Sequence, residues 1–527
     1  MPDISKINAL AIGSVSKVDG LAKASILDID GVAVPAGVVD AFTFAIDTSL
    51  GDGTATFHLP LSGTVNFTVY WGDGNSDIIT SDTDPAMDHT YASGGTYDII
   101  LDGTIGTWNS GTTTDRPKVT DVKKWSTNFT NGTFLSFTEL TSDTATDYPL
   151  ITSLGQFYQN CNNFNGDISN WNTGSVTNMK EMFRGANSFN GDISGWDVSN
   201  VTNFEKFLYQ ATPFNQDLSG WTPAATDMRQ MFYQCSSFNA DLDSWDMTNI
   251  TDMRQMFFNT SFNNSLNSWS FPLATSLQGL FQNSDMNSDI SSWTVSSITD
   301  FSSCFQGTPF NQDITGWGVS SGTNFSNMFN AATAFNQNIA SWTVSSGTNF
   351  GGMFAGATSF NQNIGSWNVS AATNFGLMFN GASAFDQDIS GWTTSNVTSM
   401  YEMFKDASAF AQDLSSWDVS NVGSFEGVFR SSQSDFDYST WQLHSATSLR
   451  RAWFGNVISA ANVSACLIAW EADASTATGV DAVDCFSNIT MSEATYSTAK
   501  TAFDNLILAV GSGGYGWDLT GAINWVA

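Results

Sequence analysis

Basic residues are scarce. The 527-residue chain carries 17 Lys plus Arg against 50 Asp plus Glu, a formal net charge of −33. A field of that sign repels phosphate backbones and anionic lipid surfaces, so no nucleic-acid partner is expected. The three histidines, His58, His89 and His444, lie far apart, and no GxSxG, HExxH, Walker or dinucleotide fingerprint occurs. Nothing therefore marks a nucleophile, a general base or a catalytic metal, and no enzyme activity or cofactor is expected. Cysteine is sparse too: Cys161, Cys235, Cys304, Cys466 and Cys485 are odd in number and form no CxxC pair. Neither a zinc site nor a disulfide framework is indicated. Cys466 and Cys485 are near enough in sequence to bridge, but two buried free thiols are the reading preferred. No run of about 18 apolar residues occurs, and MPDISKINALAIGSVSKVDG lacks the marks of a secretory signal. Membrane insertion and Sec export are not expected.

Aromatic and turn-forming residues are abundant. There are 41 Phe, 19 Trp and 44 Gly while only 13% of residues are charged, so polarity comes from Ser, Thr, Asn and Asp. That composition suits turns and short strands, and the length implies several domains or one repeat array. Residues 4–36 divide into ISKINALAIGS, VSKVDGLAKAS and ILDIDGVAVPA, with Ile4, Ile7, Val15, Val18, Ile26 and Ile29 in register. Asn8-Ala9, Asp19-Gly20 and Asp30-Gly31 supply turns, so residues 1–36 read as a β arm that anchors or oligomerises.

Residues 40–108 alternate apolar and polar in FTFAID, TATFHLPL and VNFTVYWGDG, the pattern of an antiparallel sandwich. Trp71-Gly72-Asp73-Gly74, followed by His89-Thr90-Tyr91, resembles the polycystic-kidney-disease (PKD) type immunoglobulin-like domain. The resemblance implies that Trp71, Asp73, His89 and Tyr91 determine the fold rather than carry chemistry.

The central region is periodic. Trp171, Trp196, Trp221, Trp245, Trp269, Trp293, Trp317, Trp342, Trp367, Trp392, Trp417 and Trp441 recur every 24 or 25 residues, which predicts a solenoid with tryptophan in its core rather than an exposed sugar-stacking ladder. In Met179, Met182, Phe183, Ala186 and Phe189 the spacing of three, one, three and three predicts a short helix, and Asp-Ile-Ser-x-Trp-x-Val predicts a strand. Strands ~4.8 Å apart against helices ~8 to 10 Å apart would bend such a stack and leave its strand face concave for a partner. The row from Asn165 to Asn361 reads as a structural amide ladder. Two residues further on, Asp167, Asp192, Asp217, Asp241, Asp289, Asp313, Asp388 and Asp413 form a second row. Stacked carboxylates repel, so these must accept backbone hydrogen bonds or share cations; turn duty is preferred, with calcium as the weaker reading.

FNQDITGWGVSSGTNFSNMFNAATAFNQNIASWTVSSGTNFGGMF resembles the bacterial surface-protein repeat related to BspA-like leucine-rich repeats, a family known for extracellular adhesin-like proteins that often carry a PKD-like module in front. The opening departs from that family, having no lipobox; ISKINALAIGSVSKVDG is instead similar to the openings of structural proteins of marine bacteriophages, which are released by lysis. After Phe454 the period fades, SAANVSACLIAWEADA and SEATYSTAKTAFDNLILAV show helical spacing with Ser492 as an N-cap for the second, and GYGWDLTGAINW reads as closing strands.

The expected architecture is thus multidomain: the β arm at 1–36, a PKD-like β-sandwich at 40–108, a leucine-rich-repeat-like α/β solenoid of about twelve coils at 118–454 with its own capping first coil, and a small α/β cap at 455–527. The expected function is that of a non-enzymatic virion fibre or decoration protein. It would join other virion proteins through residues 1–36 and present its repeats to a host-surface glycan or protein, as a trimer by analogy. A bacterial extracellular adhesin is the alternative, and a glycan-depolymerising spike the second alternative.

Overall fold

The computed structural model describes residues 17–18, 21–22, 38, 40–108, 114–456, 458–473, 476–486, 489–508 and 515–526. The chain divides into two compact units, Met1–Pro223 and Ala224–Ala527. Of the arm, only β1 (Lys17–Val18) and β2 (Leu21–Ala22) are described, paired antiparallel. The rest of the three 11-residue units, and the anchoring role expected of them, lie outside the described residues.

In the first unit, alternating apolar residues build β3 (Phe42–Asp47), β4 (Thr56–His58), β5 (Leu61–Ser62), β6 (Asn66–Tyr70), β7 (Ser76–Ile79), β8 (Asp88–Thr90), β9 (Thr96–Thr104) and β10 (Thr107–Trp108). They continue into β11 (Val119–Lys124) and β12 (Ser142–Asp143). One sheet has the order β12-β11-β3-β9-β6-β7, antiparallel except where β12 joins β11; β4–β8 and β5–β10 are small separate pairs. Central strand β3 is buried on both faces, and Phe42 and Phe44 meet the Trp108 ring edge-on at 5.1 and 5.0 Å. Gly72 is required by position: its φ is +81°, and a Cβ there would come within 2.6 Å of the Asp98 carbonyl. KVTDVKKW, which reads as part of a first coil, is mostly strand β11, pairing with β3 on one side and β12 on the other.

The expected leucine-rich-repeat-like α/β solenoid is not what the chain forms. Among the described residues there are only two α-helices, both beyond residue 455, and the regular structure is mostly strand. Where a helix was predicted over Met179–Phe189, N–H groups alternate between two kinds of partner. Met182, Arg184 and Ala186 donate to the carbonyl three residues back, while Met179, Glu181, Phe183 and Gly185 donate to Asn203, Glu205, Phe207 and Tyr209 of the next repeat. Turns that send every second donor sideways cannot make the i to i−4 bonds of a helix. The alternation needs left-handed residues, and Glu181 (φ +57°) and Gly185 (φ +73°) supply them. The predicted Asp-Ile-Ser-x-Trp-x-Val strand is absent as well; the segment is held by turns such as Trp171 N–H to Ile168 O, and parallel pairing shrinks to single residues such as Asn178 with Asn203. Without helices on one face, bending from unequal strand and helix spacing has no basis.

In the second unit the same turns run on from Asp227 paired with Asp252, and through Ser276, Asp300, Asn324, Asn349, Asn374, Ser399, Ser424 and Ser448. They do not stop at Phe454. Ser448 pairs with Asp481 and Asp481 with Asp518, while Trp453 N–H donates to Cys485 O and Asp484 N–H to Thr520 O. Helix α1 (Ala460–Ala472) interrupts this series after N-cap Ser459, whose hydroxyl accepts from Asn462 N–H at 3.3 Å. Strand β13 (Thr490–Ser492) ends where the second helix was expected to start. Helix α2 (Ser497–Ile507) instead follows Tyr496, which makes no side-chain cap, and β14 (Asn524–Val526) pairs parallel with β13.

Candidate functional site

Three rows run through the repeats, and their surroundings separate scaffold from surface. All twelve tryptophans from Trp171 to Trp441 are buried, at most 5% exposed. Several neighbouring rings stack, as Trp317 on Trp342 at 6.5 Å with 3° between planes, and indole N–H groups such as that of Trp342 donate to a carbonyl of the preceding repeat, here Ile314 O at 3.1 Å. No ring face is left for a sugar. The asparagine row forms the expected kind of ladder: Asn311 Oδ1 accepts from Asn336 N–H at 2.9 Å, Asn336 Oδ1 from Asn361 N–H at 3.0 Å, and Asn361 Oδ1 from Asp386 N–H at 3.0 Å.

The aspartate row is exposed, and each Oδ1 accepts the backbone N–H two residues on. Asp167, Asp192, Asp217 and Asp241 accept from residues 169, 194, 219 and 243, and Asp289, Asp313, Asp388 and Asp413 from residues 291, 315, 390 and 415, at 2.9 to 3.1 Å. At Asp192, Asp217, Asp289, Asp313 and Asp388 such bonds hold the carboxyl below its ordinary range. At Asp192, Asp217 and Asp289 the backbone donor is the chief cause; at Asp313 and Asp388 it is the hydroxyl of Thr315 or Ser390. Among the described residues no three His, Cys, Asp or Glu side chains gather as a metal site would require.

All five cysteines are buried and unbridged, Cys466 and Cys485 included. Burial pushes the Cys466 thiol up to about 12 and Cys485 well above its usual value, so neither is a ready nucleophile. Trp71, Asp73, His89 and Tyr91 pack around one another beside the six-stranded sheet. Trp71 stacks on His89 at 4.7 Å, His89 Nε2 meets Asp73 Oδ2 at 2.9 Å, and Tyr91 donates to Trp71 O at 3.0 Å.

The surface that sequence reasoning missed follows each bridging residue. Every Lys and Arg between residues 127 and 454 lies two, three or six positions after a bridge: Lys180, Arg184, Lys206, Arg229, Arg254, Lys405, Arg430, Arg450 and Arg451. Several are paired locally, Lys180 with Glu205 at 2.7 Å, Arg254 with Asp252 at 2.6 Å and Lys405 with Glu402 at 2.9 Å. The second position after the bridge runs through Lys180, Glu205, Arg229, Arg254, Gln278, Ser302, Ser326, Gly351, Gly376, Tyr401, Glu426 and Arg450. Size, charge and polarity all change there while the interior positions barely do. Comparing the repeats with one another, rather than seeking a known motif, is the signal that exposes it.

In the second unit this surface holds a trough of about 500 Å³ with Asn349, Asn374 and Ser399 in its lining. In the first unit a wider hollow of about 840 Å³ lies over the sheet, lined by Tyr70, Tyr97 and Lys123 among others. Lys123 there pairs with Asp98 at 2.7 Å.

No curated protein matches the chain. The family described as "Mycoplasma protein of unknown function, DUF285" matches residues 127–226, 222–286, 275–383 and 362–465, well over half of the sequence. With its repeats matched from the sheet junction to the first helix, the chain belongs to that family.

Proposed function

We propose that this chain is a non-enzymatic attachment protein, a virion fibre or decoration protein, whose repeats carry a variable surface to a glycan or protein on a host cell. The observation that carries the reading is the division of each repeat into a near-constant interior and a changing surface. A scaffold needs the tryptophan, asparagine and aspartate rows, but nothing in the turn geometry requires Arg254, Gln278 and Tyr401 in equivalent places. Side chains that vary while the backbone repeats are what recognition uses.

Assignment to a virion rests on the similarity of the opening residues to phage structural proteins. The similarity of the repeats to BspA-like surface proteins favours the second reading, a bacterial adhesin. Peptide mass spectrometry on density-purified particles and on washed, virus-free cells of the source culture separates the two. The virion reading expects the chain in particles at a fixed ratio to other structural proteins. Recovery on virus-free cells alone overturns it in favour of the adhesin.

A further inference from the structure

The trough is open because two side chains are missing. At the position where other repeats carry Arg254, Gln278 or Glu426, two successive repeats have Gly351 and Gly376, and the resulting cavity of about 500 Å³ extends from Ser326 to Tyr401. That volume is within the range that takes small ligands or segments of a polymer. Its polar groups are neutral amides and hydroxyls: Asn374 Nδ2 donates to Asn349 Oδ1 at 3.0 Å, with Ser399 next in the row. No charged side chain lines it.

A second, independent feature is apolar exposure held at a conformational cost. The third position after each bridge is left-handed, and glycine, amide or charged residues fill it at Gln255, Gly279, Asn327, Gly352 and Glu402. Leu377, φ +62°, is the one aliphatic side chain there among the described residues, and it remains 37% exposed. Left-handed backbone costs a side chain about 1–2 kcal/mol, and exposing leucine recovers none of it. Leu377 N–H donates to Tyr401 O at 2.7 Å, and the Tyr401 residue is equally exposed. A leucine and a phenol ring thus line the same trough as a row of amides.

That pairing is the complement of a pyranose, which offers a C–H face to apolar or aromatic groups and hydroxyls to amides. Bridged repeats recur at ~4.8 Å, close to the length of one sugar unit, so a linear polymer meets equivalent amides at successive units. The chain's net negative charge and the uncharged lining both disfavour a polyanion. We infer that the trough between Ser326 and Tyr401 binds a segment of a neutral, linear glycan, with Tyr401 and Leu377 as its platform and Asn349 and Asn374 as its hydrogen-bonding row. This rests on the attachment reading above and gives it a site and a ligand class.

The test uses the full chain on an array of neutral and sulfated linear glycans, followed by calorimetry with the best-bound neutral hexasaccharide. Gly376→Gln restores a side chain that the repeat at Gln278 accommodates, so it fills the trough in a context the turns tolerate; Tyr401→Ala removes the platform. Each is expected to weaken binding at least tenfold with an unchanged melting temperature, while Arg254→Ala binds as the parent does. Binding to no neutral glycan, stronger binding to sulfated ones, or undiminished binding by both variants overturns the site. Adhesion of the same proteins to washed cells keeps the two proposals apart. Cell binding that survives Gly376→Gln, or that is lost on protease but not periodate treatment of the cells, refutes the glycan trough while attachment stands. Absence of cell binding by the parent chain refutes attachment itself.

Discussion

Trp342 shows what a single residue does in this molecule. It is 3% exposed, stacks on Trp317 and Trp367, and donates its indole N–H to Ile314 O. Trp342→Ala is expected to cost about 3–5 kcal/mol, measured by denaturant unfolding, because it leaves both a cavity and an unsatisfied carbonyl. Asn336→Ala removes one acceptor from a solvated ladder and is expected to cost only about 1 kcal/mol in the same measurement. The aspartate row predicts a pH dependence. Asp192, Asp289 and Asp388 have carboxyls held below their ordinary range, so the folded state binds protons less readily than the unfolded chain. Their contribution is present above the unfolded value of about 4 and is lost as pH falls through the lower folded values. The melting temperature should therefore fall steeply below about pH 4; a flat profile from pH 5 to pH 3 would contradict the turn role. The roles of these rows were legible in the sequence because a strict period leaves few positions for large aromatics except the interior.

At the scale of the element, legibility ended. The spacing of Met179, Met182, Phe183 and Ala186 is compatible with a helix and equally with turns whose donors alternate between their own repeat and the next. Periodicity reports which side chains point inward, whereas backbone partners depend on a neighbour 24 or 25 residues away. The signal that separates the two cases is conformational: left-handed residues at Glu181 and Gly185, then Gln230 and Gln234, and on to Glu402 and Asp406, recur at intervals no α-helix permits. Leu377 tests this directly. Leu377→Asn places a residue suited to φ +62° and is expected to raise stability by about 1 kcal/mol. If Leu377 serves as a glycan platform, the same substitution lowers binding, the usual opposition between stability and function. Helix α1 was readable from the helical spacing of SAANVSACLIAWEADA; the start of α2 was misplaced because Ser492 is taken up by β13 and its pairing with β14.

For the whole molecule, the repeats explain how a chain with so few basic residues holds together. Stacked carboxylates would repel if they faced one another unpaired, but each Asp of the row accepts from its own turn, so no bridging cation is required. The melting temperature is accordingly expected to be the same in calcium and in chelator; a drop on chelation would show that the row shares cations after all. The bridging surface was not legible, since it follows no motif and emerges only when the repeats are laid over one another and their differences examined.

In the proposed attachment, this variable surface, not the constant rows, meets the host cell. The most direct measurement is retention of the fluorescently labelled full chain by washed cells of the source culture, comparing Tyr401→Ala with Asp388→Asn at matched melting temperature. Tyr401→Ala is expected to lose most of the retention and Asp388→Asn to keep it. Equal retention by both, or loss with Asp388→Asn alone, would contradict this expectation.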